Sequence, residues 1–154
     1  MSNPIIRAID CHIVSKGANG EINYLLLKRS PNQLYPNVWQ CVTGKIEPSE
    51  KAFQTAIREV KEETGLHPIN LWTVEHVNLF FEANQDRLNL IPVFGMEVMR
   101  KEIILSNEHS DYDWCNIDVA TSKMLWAQQI EGLKAFDSML QGPKEKLSFS
   151  KISL

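Results

Sequence analysis

The apolar residues of this 154-residue chain follow two rhythms. Ile5 to Val14 is rich in β-branched residues and reads as a strand. Lys16-Gly17-Ala18-Asn19-Gly20 marks a turn, and Ile22 to Leu27 forms a second apolar run, so these two segments predict a hairpin. Ser30 to Asn37, with two prolines and two asparagines, reads as a loop. Val38 to Val42 is a short apolar stretch that leads into Thr43-Gly44. The period then lengthens: Ala52, Phe53, Ala56, Ile57 and Val60 recur at helical spacing and make one apolar stripe. Ser49 is the expected N-cap. Gly65, with Pro68 soon after, is the expected C-cap, which predicts a helix from about Glu50 to Thr64.

Two further strands are predicted, Leu71 to Phe81 and Leu88 to Val98, joined by the polar turn Asn84-Gln85-Asp86-Arg87. A loop from Lys101 to Ser110 leads to a short strand around Tyr112 to Cys115. Val119 to Leu140 reads as one long helix stopped by Gly142-Pro143, and residues 141–154 are expected as a loose tail or one added strand. Strands interrupted by one central helix and closed by another predict an α/β or α+β domain, with helices packed on a mixed sheet over residues 1–154.

Composition narrows the function classes. Sixteen basic against nineteen acidic side chains give a net charge of -3, which argues against a long nucleic-acid partner but not against a small anionic substrate. Cys11, Cys41 and Cys115 are odd in number and scattered, so buried free thiols are expected rather than disulfides or a zinc site. Met1 to Asp10 lacks a signal pattern, and no apolar run approaches the roughly 20 residues of a membrane span. A cytoplasmic protein with no membrane partner is the expectation, and the oligomeric state stays open.

The helix carries the candidate chemistry. Glu59, Glu62 and Glu63 stand at i, i+3 and i+4 and project from one side. Crowded carboxylates repel, and hard oxygen ligands at this density suit Mg2+ or Mn2+. A solvated acidic face with Arg58 and Lys61 as counter-charges is the plain alternative on the helix alone.

The wider segment decides between them. Gly44, Glu50, Arg58-Glu59-Val60, Glu62-Glu63 and Gly65-Leu66 resemble the Nudix box, G-x5-E-x7-R-E-U-x-E-E-x-G-U with U aliphatic, at every defined position. A chance match in a chain this long is on the order of one in ten million. The resemblance implies an α/β/α sandwich and a metal-dependent hydrolase that cuts a diphosphate linkage. It further implies that Glu59, Glu62 and Glu63 hold Mg2+ (or Mn2+) and activate or position water. Gly44 would add its backbone carbonyl, and Arg58 would orient the glutamates. Glu108, in Ser106-Asn107-Glu108-His109-Ser110 before Trp114, resembles the extra acidic ligand or base that many members draw from outside the box; His109 reads as structural.

Val38-Trp39-Gln40-Cys41-Val42-Thr43-Gly44 is similar to the entry into the box of dihydroneopterin triphosphate diphosphatases. Ser30 to Asn37 is longer than the corresponding loop of that group. This likeness implies a nucleoside or pterin triphosphate substrate that releases pyrophosphate, contacted by Arg29 and Thr43, with Arg7 a further phosphate candidate. Phe80, Phe81 and Trp126 are candidates to stack on a flat ring, although aromatics at such positions are commonly core. Two alternatives stay open: hydrolysis of another nucleoside diphosphate derivative such as a dinucleoside polyphosphate, and a non-catalytic nucleotide-binding protein of the same fold.

Overall fold

The computed structural model describes residues 3–154; Met1 and Ser2, the start of the segment read for a signal pattern, lie outside the described residues. Among the described residues eight strands form one mixed sheet: β1 (Pro4–Ile5), β2 (Ala8–Lys16), β3 (Ile22–Arg29), β4 (Trp39–Gln40), β5 (Val42–Lys45), β6 (Asn70–Glu82), β7 (Arg87–Glu97) and β8 (His109–Cys115). The helices are α1 (Ala52–Thr64), α2 (Ile117–Lys123), α3 (Ala127–Gln141) and α4 (Lys144–Phe149). β2 is the central strand and it forks the sheet. One edge runs parallel to β7; along the other, the first half of β2 pairs with β5 and the second half with β3. β3 then pairs with β4 and β8.

Alternation along β2 builds a core on each face. Ile9, Cys11 and Ile13 pack with Val42, Ala56, Val60 and Met96 under α1. Val14 joins Tyr24, Trp72, Val93, Leu133 and Phe136 under α2 and α3. The result is the expected layered sandwich, and the three cysteines are buried free thiols.

Three local expectations are corrected. α1 starts at Ala52 rather than Glu50, because Ser49 adopts a positive φ of 68° and the Lys51 N–H is capped by Gln54 Oε1 at 2.8 Å. The side chain of Glu50 is turned to Arg58 and Thr55 instead. The long C-terminal helix is two helices: Met124 is extended (ψ 143°), buried, and bridged to Trp39, which breaks the helical ladder. Lys144–Phe149 is a short helix, after which Lys151 bridges to Trp72 and the Ile152 N–H donates to Leu71 O at 2.8 Å, so this segment is docked on β6 rather than loose.

Candidate active site

Arg58 organises the loop and helix around the carboxylates. Its fork grips Glu50, with Nε 2.8 Å from Oε2 and Nη2 3.0 Å from Oε1. Nη1 donates to Glu59 Oε1 at 2.8 Å and to Glu62 Oε2 at 3.3 Å, and Nη2 also reaches the carbonyl of Lys45 at 2.9 Å. A planar guanidinium with five donors can satisfy all of these at once. Hydrogen bonds from Arg58, then Thr55, hold the Glu50 carboxyl down at about 2, so Glu50 is an ionised strut between loop and helix.

The three helix glutamates occupy a gradient of environments rather than one acidic face. Glu62 is 57% exposed and Glu59 14%, whereas Glu63 is buried. Gly44 makes the middle position possible: a Cβ there would fall 2.2 Å from Glu59 Cγ, so only glycine lets β5 lie against that side chain. Burial first, and the neighbouring charges of Glu59 and Glu108 next, push the Glu63 carboxyl well above the ordinary range; Glu59 is also raised, burial again leading.

Glu63 Oε2 is buried and has no hydrogen-bond partner among the described residues. Glu63, Glu108 and His109 each bring one ligand atom to within 4.8 Å of the others. An orphaned carboxylate oxygen amid further carboxylates matches the oxygen donors that hold a divalent ion, which would neutralise a cluster that otherwise must retain protons. The residues therefore fit the metal that the sequence resemblance implies.

Glu108 reaches this cluster from across the sheet. The Ser30 N–H donates to Glu108 O at 2.9 Å and Ser30 Oγ to Asn107 O at 2.8 Å, which pins the loop before β8 to the end of β3. His109, which the sequence reads as structural, is buried beside Glu63 and Glu108. Burial pulls its imidazole down to about 4, with Glu108 opposing. Its Nε2 lies 3.4 Å from Gln40 Nε2, and Nδ1 has no partner among the described residues. The available signal was adjacency to Glu108 at the start of a strand paired with Arg29.

The candidate substrate residues divide. Arg29 sits opposite His109, with Nε donating to Leu34 O, and among the described residues no carboxylate pairs with it. Thr43 is half-buried on β5, next to Gly44 and opposite Asp10. Arg7 is instead held 3.7 Å from Glu82 at the β6–β7 end, beside the Arg87–Glu82 pair, and is not drawn to the box carboxylates. Phe80 and Phe81, expected to be commonly core, are more than half exposed there. Trp126 meets Tyr35, edge to face, with ring centroids 5.1 Å apart. Tyr35 has a positive φ of 55°, a conformation a propensity reading does not foresee for tyrosine. A cavity of about 270 Å3 lined by Ser15, Lys16, Asn23 and Arg100 opens at the far end of β2 from Gly44 and contains none of these groups.

Comparison with known proteins places this geometry. The model of the family described as NUDIX domain matches residues 7–136. An asymmetrical bis(5'-nucleosyl)-tetraphosphatase of Caenorhabditis elegans is 30% identical over 140 residues, covering 90% of this chain and 99% of the relative. The nucleoside triphosphatase NudI of Salmonella schwarzengrund is 30% identical over 100 residues, 59% of this chain and 71% of the relative. A crystal structure of a C. elegans Ap4A hydrolase binary complex superposes with a TM-score of 0.72 at 26% identity, over 90% of this chain and 100% of that one.

Proposed function

We propose that this chain, which belongs to the Nudix family and is a pyrophosphohydrolase of nucleotide derivatives, cuts a dinucleoside polyphosphate with Mg2+ held by Glu59, Glu62, Glu63 and Glu108. The observation that carries the site is the orphaned, buried Glu63 oxygen among carboxylates from two elements. The full-length likeness to an asymmetrical bis(5'-nucleosyl)-tetraphosphatase supports the substrate class. Asymmetric scission of a tetraphosphate yields one nucleoside triphosphate and one monophosphate.

Bound metal supplies charge neutralisation at the phosphate oxygens and lowers the pKa of water. The chain's own groups do the rest. Arg58 keeps Glu59 and Glu62 aimed, and the backbone of Gly44 stands against Glu59. Glu62 and Glu108 are exposed, and a carboxylate oxygen of either that the metal leaves free would receive the proton of the attacking water. Arg29 supplies a planar fork for phosphate, and Tyr35 with Trp126 offers an aromatic edge for a base, whereas Thr43, paired with Asp10, lies on the other face of the sheet from the carboxylates.

A second reading is supported by residues 38–44 and by the NudI relative: a nucleoside or pterin triphosphate cut to a monophosphate and pyrophosphate. Product analysis separates the two. Diadenosine tetraphosphate, the four nucleoside triphosphates and dihydroneopterin triphosphate are each incubated with protein and Mg2+, and the products are resolved by ion-exchange chromatography. ATP plus AMP from the dinucleotide, at a kcat/KM at least roughly tenfold above any triphosphate, supports the first reading. Pyrophosphate release from triphosphates at the higher kcat/KM replaces it with the second.

A further inference from the structure

Resting on the reading of this cluster as the metal site, we infer that His109 supplies a nitrogen ligand to it, giving one cation position a preference for Mn2+ over Mg2+. The acidic cluster alone would not require this. The independent observation is a buried imidazole, 4% exposed, whose Nδ1 has no partner, in the same 4.8 Å group as the Glu63 and Glu108 oxygens. Neighbouring donors that share an ion with bonds of about 2.1 Å would stand roughly 3 Å apart, so three atoms within 4.8 Å of one another could converge on one ion through side-chain shifts on the order of 1 Å.

The second half of the device is Gln40. It is buried, and its terminal amide is the contact to His109 Nε2, at 3.4 Å. An amide turned by 180° exchanges NH2 for carbonyl in the same space. With the carbonyl toward the ring, Nε2–H donates to Gln40 and the lone pair is left on Nδ1. This is the arrangement by which a partner on one ring nitrogen fixes the other as a ligand. The other histidines lie elsewhere: His12 and His76 face Gly132 of α3 beneath the opposite face of the sheet, and His67 follows α1 and is exposed.

A nitrogen donor changes which ion the site takes. Mg2+ is bound by oxygen and retains water, whereas a nitrogen donor adds affinity for first-row divalent ions, least for Mn2+ and more for the later metals. His109 therefore acts on metal identity and adds nothing to Mg2+ binding.

Mn2+ is the probe. Pulsed EPR is recorded on Mn2+-loaded full-length protein carrying 14N- or 15N-histidine, with Mn2+ and Mg2+ affinities measured by calorimetry for the wild type, His109→Phe and His109→Gln. The wild type is expected to show one directly coordinated imidazole nitrogen that shifts with the isotope and vanishes in both variants. Mn2+ affinity falls roughly tenfold or more in the variants, while Mg2+ affinity stays within about threefold. Bound Mn2+ without imidazole coupling in the wild type overturns the inference, and so does equal weakening of both ions. The wild-type spectrum decides the matter even if a variant fails to fold. Absence of any divalent binding would also remove the metal site from the proposed function, whereas Mn2+ bound through oxygen alone removes only His109.

Discussion

Glu62 and Glu63, adjacent in sequence, should respond differently to the same change. Glu63→Gln replaces a carboxyl that burial already keeps protonated, so the metal-free protein should keep or raise its melting temperature. Its turnover with Mg2+ should fall roughly 10²–10⁴-fold. Glu62→Gln removes an exposed charge paired with Arg58, which is expected to move stability by less than about 0.5 kcal/mol while turnover falls over the same range. Calorimetry beside steady-state kinetics reads both, and near-native rates in both variants would mean that the site lies elsewhere. Asp10, on the opposite face of β2 from this site, supplies a pH test. Burial raises its carboxyl from 3.8 to about 7, against an opposing hydrogen bond from Asn78. Between these values the folded protein keeps a proton that the unfolded chain has lost. This contribution to stability is therefore full below pH 3.8 and is lost as pH rises to about 7, on the order of 4 kcal/mol in all. His12 runs the other way: burial lowers it from 6.5 to about 3, so stability is lost as pH falls below 6.5. The wild-type profile mixes these two with the shifted groups of the candidate site, Glu63 and His109 among them, but the difference between the wild type and Asp10→Asn isolates Asp10. In urea titrations at stepped pH, the variant's relative stability should climb from pH 4 to pH 7 and then level off; a difference independent of pH would refute the assignment.

At the scale of elements, two glycines of the box have separate jobs that alanine can tell apart. Gly65 closes α1 with φ 79°, its N–H donating to Lys61 O at 2.9 Å, and the nearest atom to an added Cβ is 3.8 Å away. Gly65→Ala therefore meets backbone strain without a clash, about 1 kcal/mol of stability, with turnover nearly unchanged below the melting transition. Gly44→Ala drives a methyl into Glu59 and should lower turnover more than 10-fold for a similar loss of stability. Equal effects on turnover would contradict the close approach. The C-cap was legible because a left-handed terminal residue has a local signature, and the stripe Ala52 to Val60 was legible because burial repeats every 3.6 residues. The N-terminal boundary was not, because Glu50 serves Arg58 eight residues later and leaves capping to Gln54. The break at Met124 was hidden for the same kind of reason: its extended backbone is set by a bridge to Trp39, far away in sequence.

Across the whole molecule, the sequence exposed the parts of the site contained in one segment and hid the parts assembled by topology. Glu59, Glu62 and Glu63 share a helix, so spacing alone groups them. The approach of Glu108 and His109 to Glu63 depends on β8 pairing with β3, which brings residue 109 opposite residue 29. Gln40 enters through β4 on the same strand. The assembled cluster stores like charge and held protons, and a bound cation would relieve both. Because an ion that binds only the folded state stabilises by RT ln(1 + [L]/Kd), Mn2+ or Mg2+ at a hundredfold over Kd should add about 2.7 kcal/mol. For a domain of this size that is a rise of roughly 5–11 °C in melting temperature, reversed by a chelator. The shift should shrink in Glu63→Gln, whose oxygen is orphaned without the ion, and persist in Arg29→Ala, which is assigned to phosphate rather than metal. A non-hydrolysable dinucleoside polyphosphate should raise the melting temperature further only with metal present, and Arg29→Ala should lose that second increment. An undiminished metal shift in Glu63→Gln would place the ion away from this cluster.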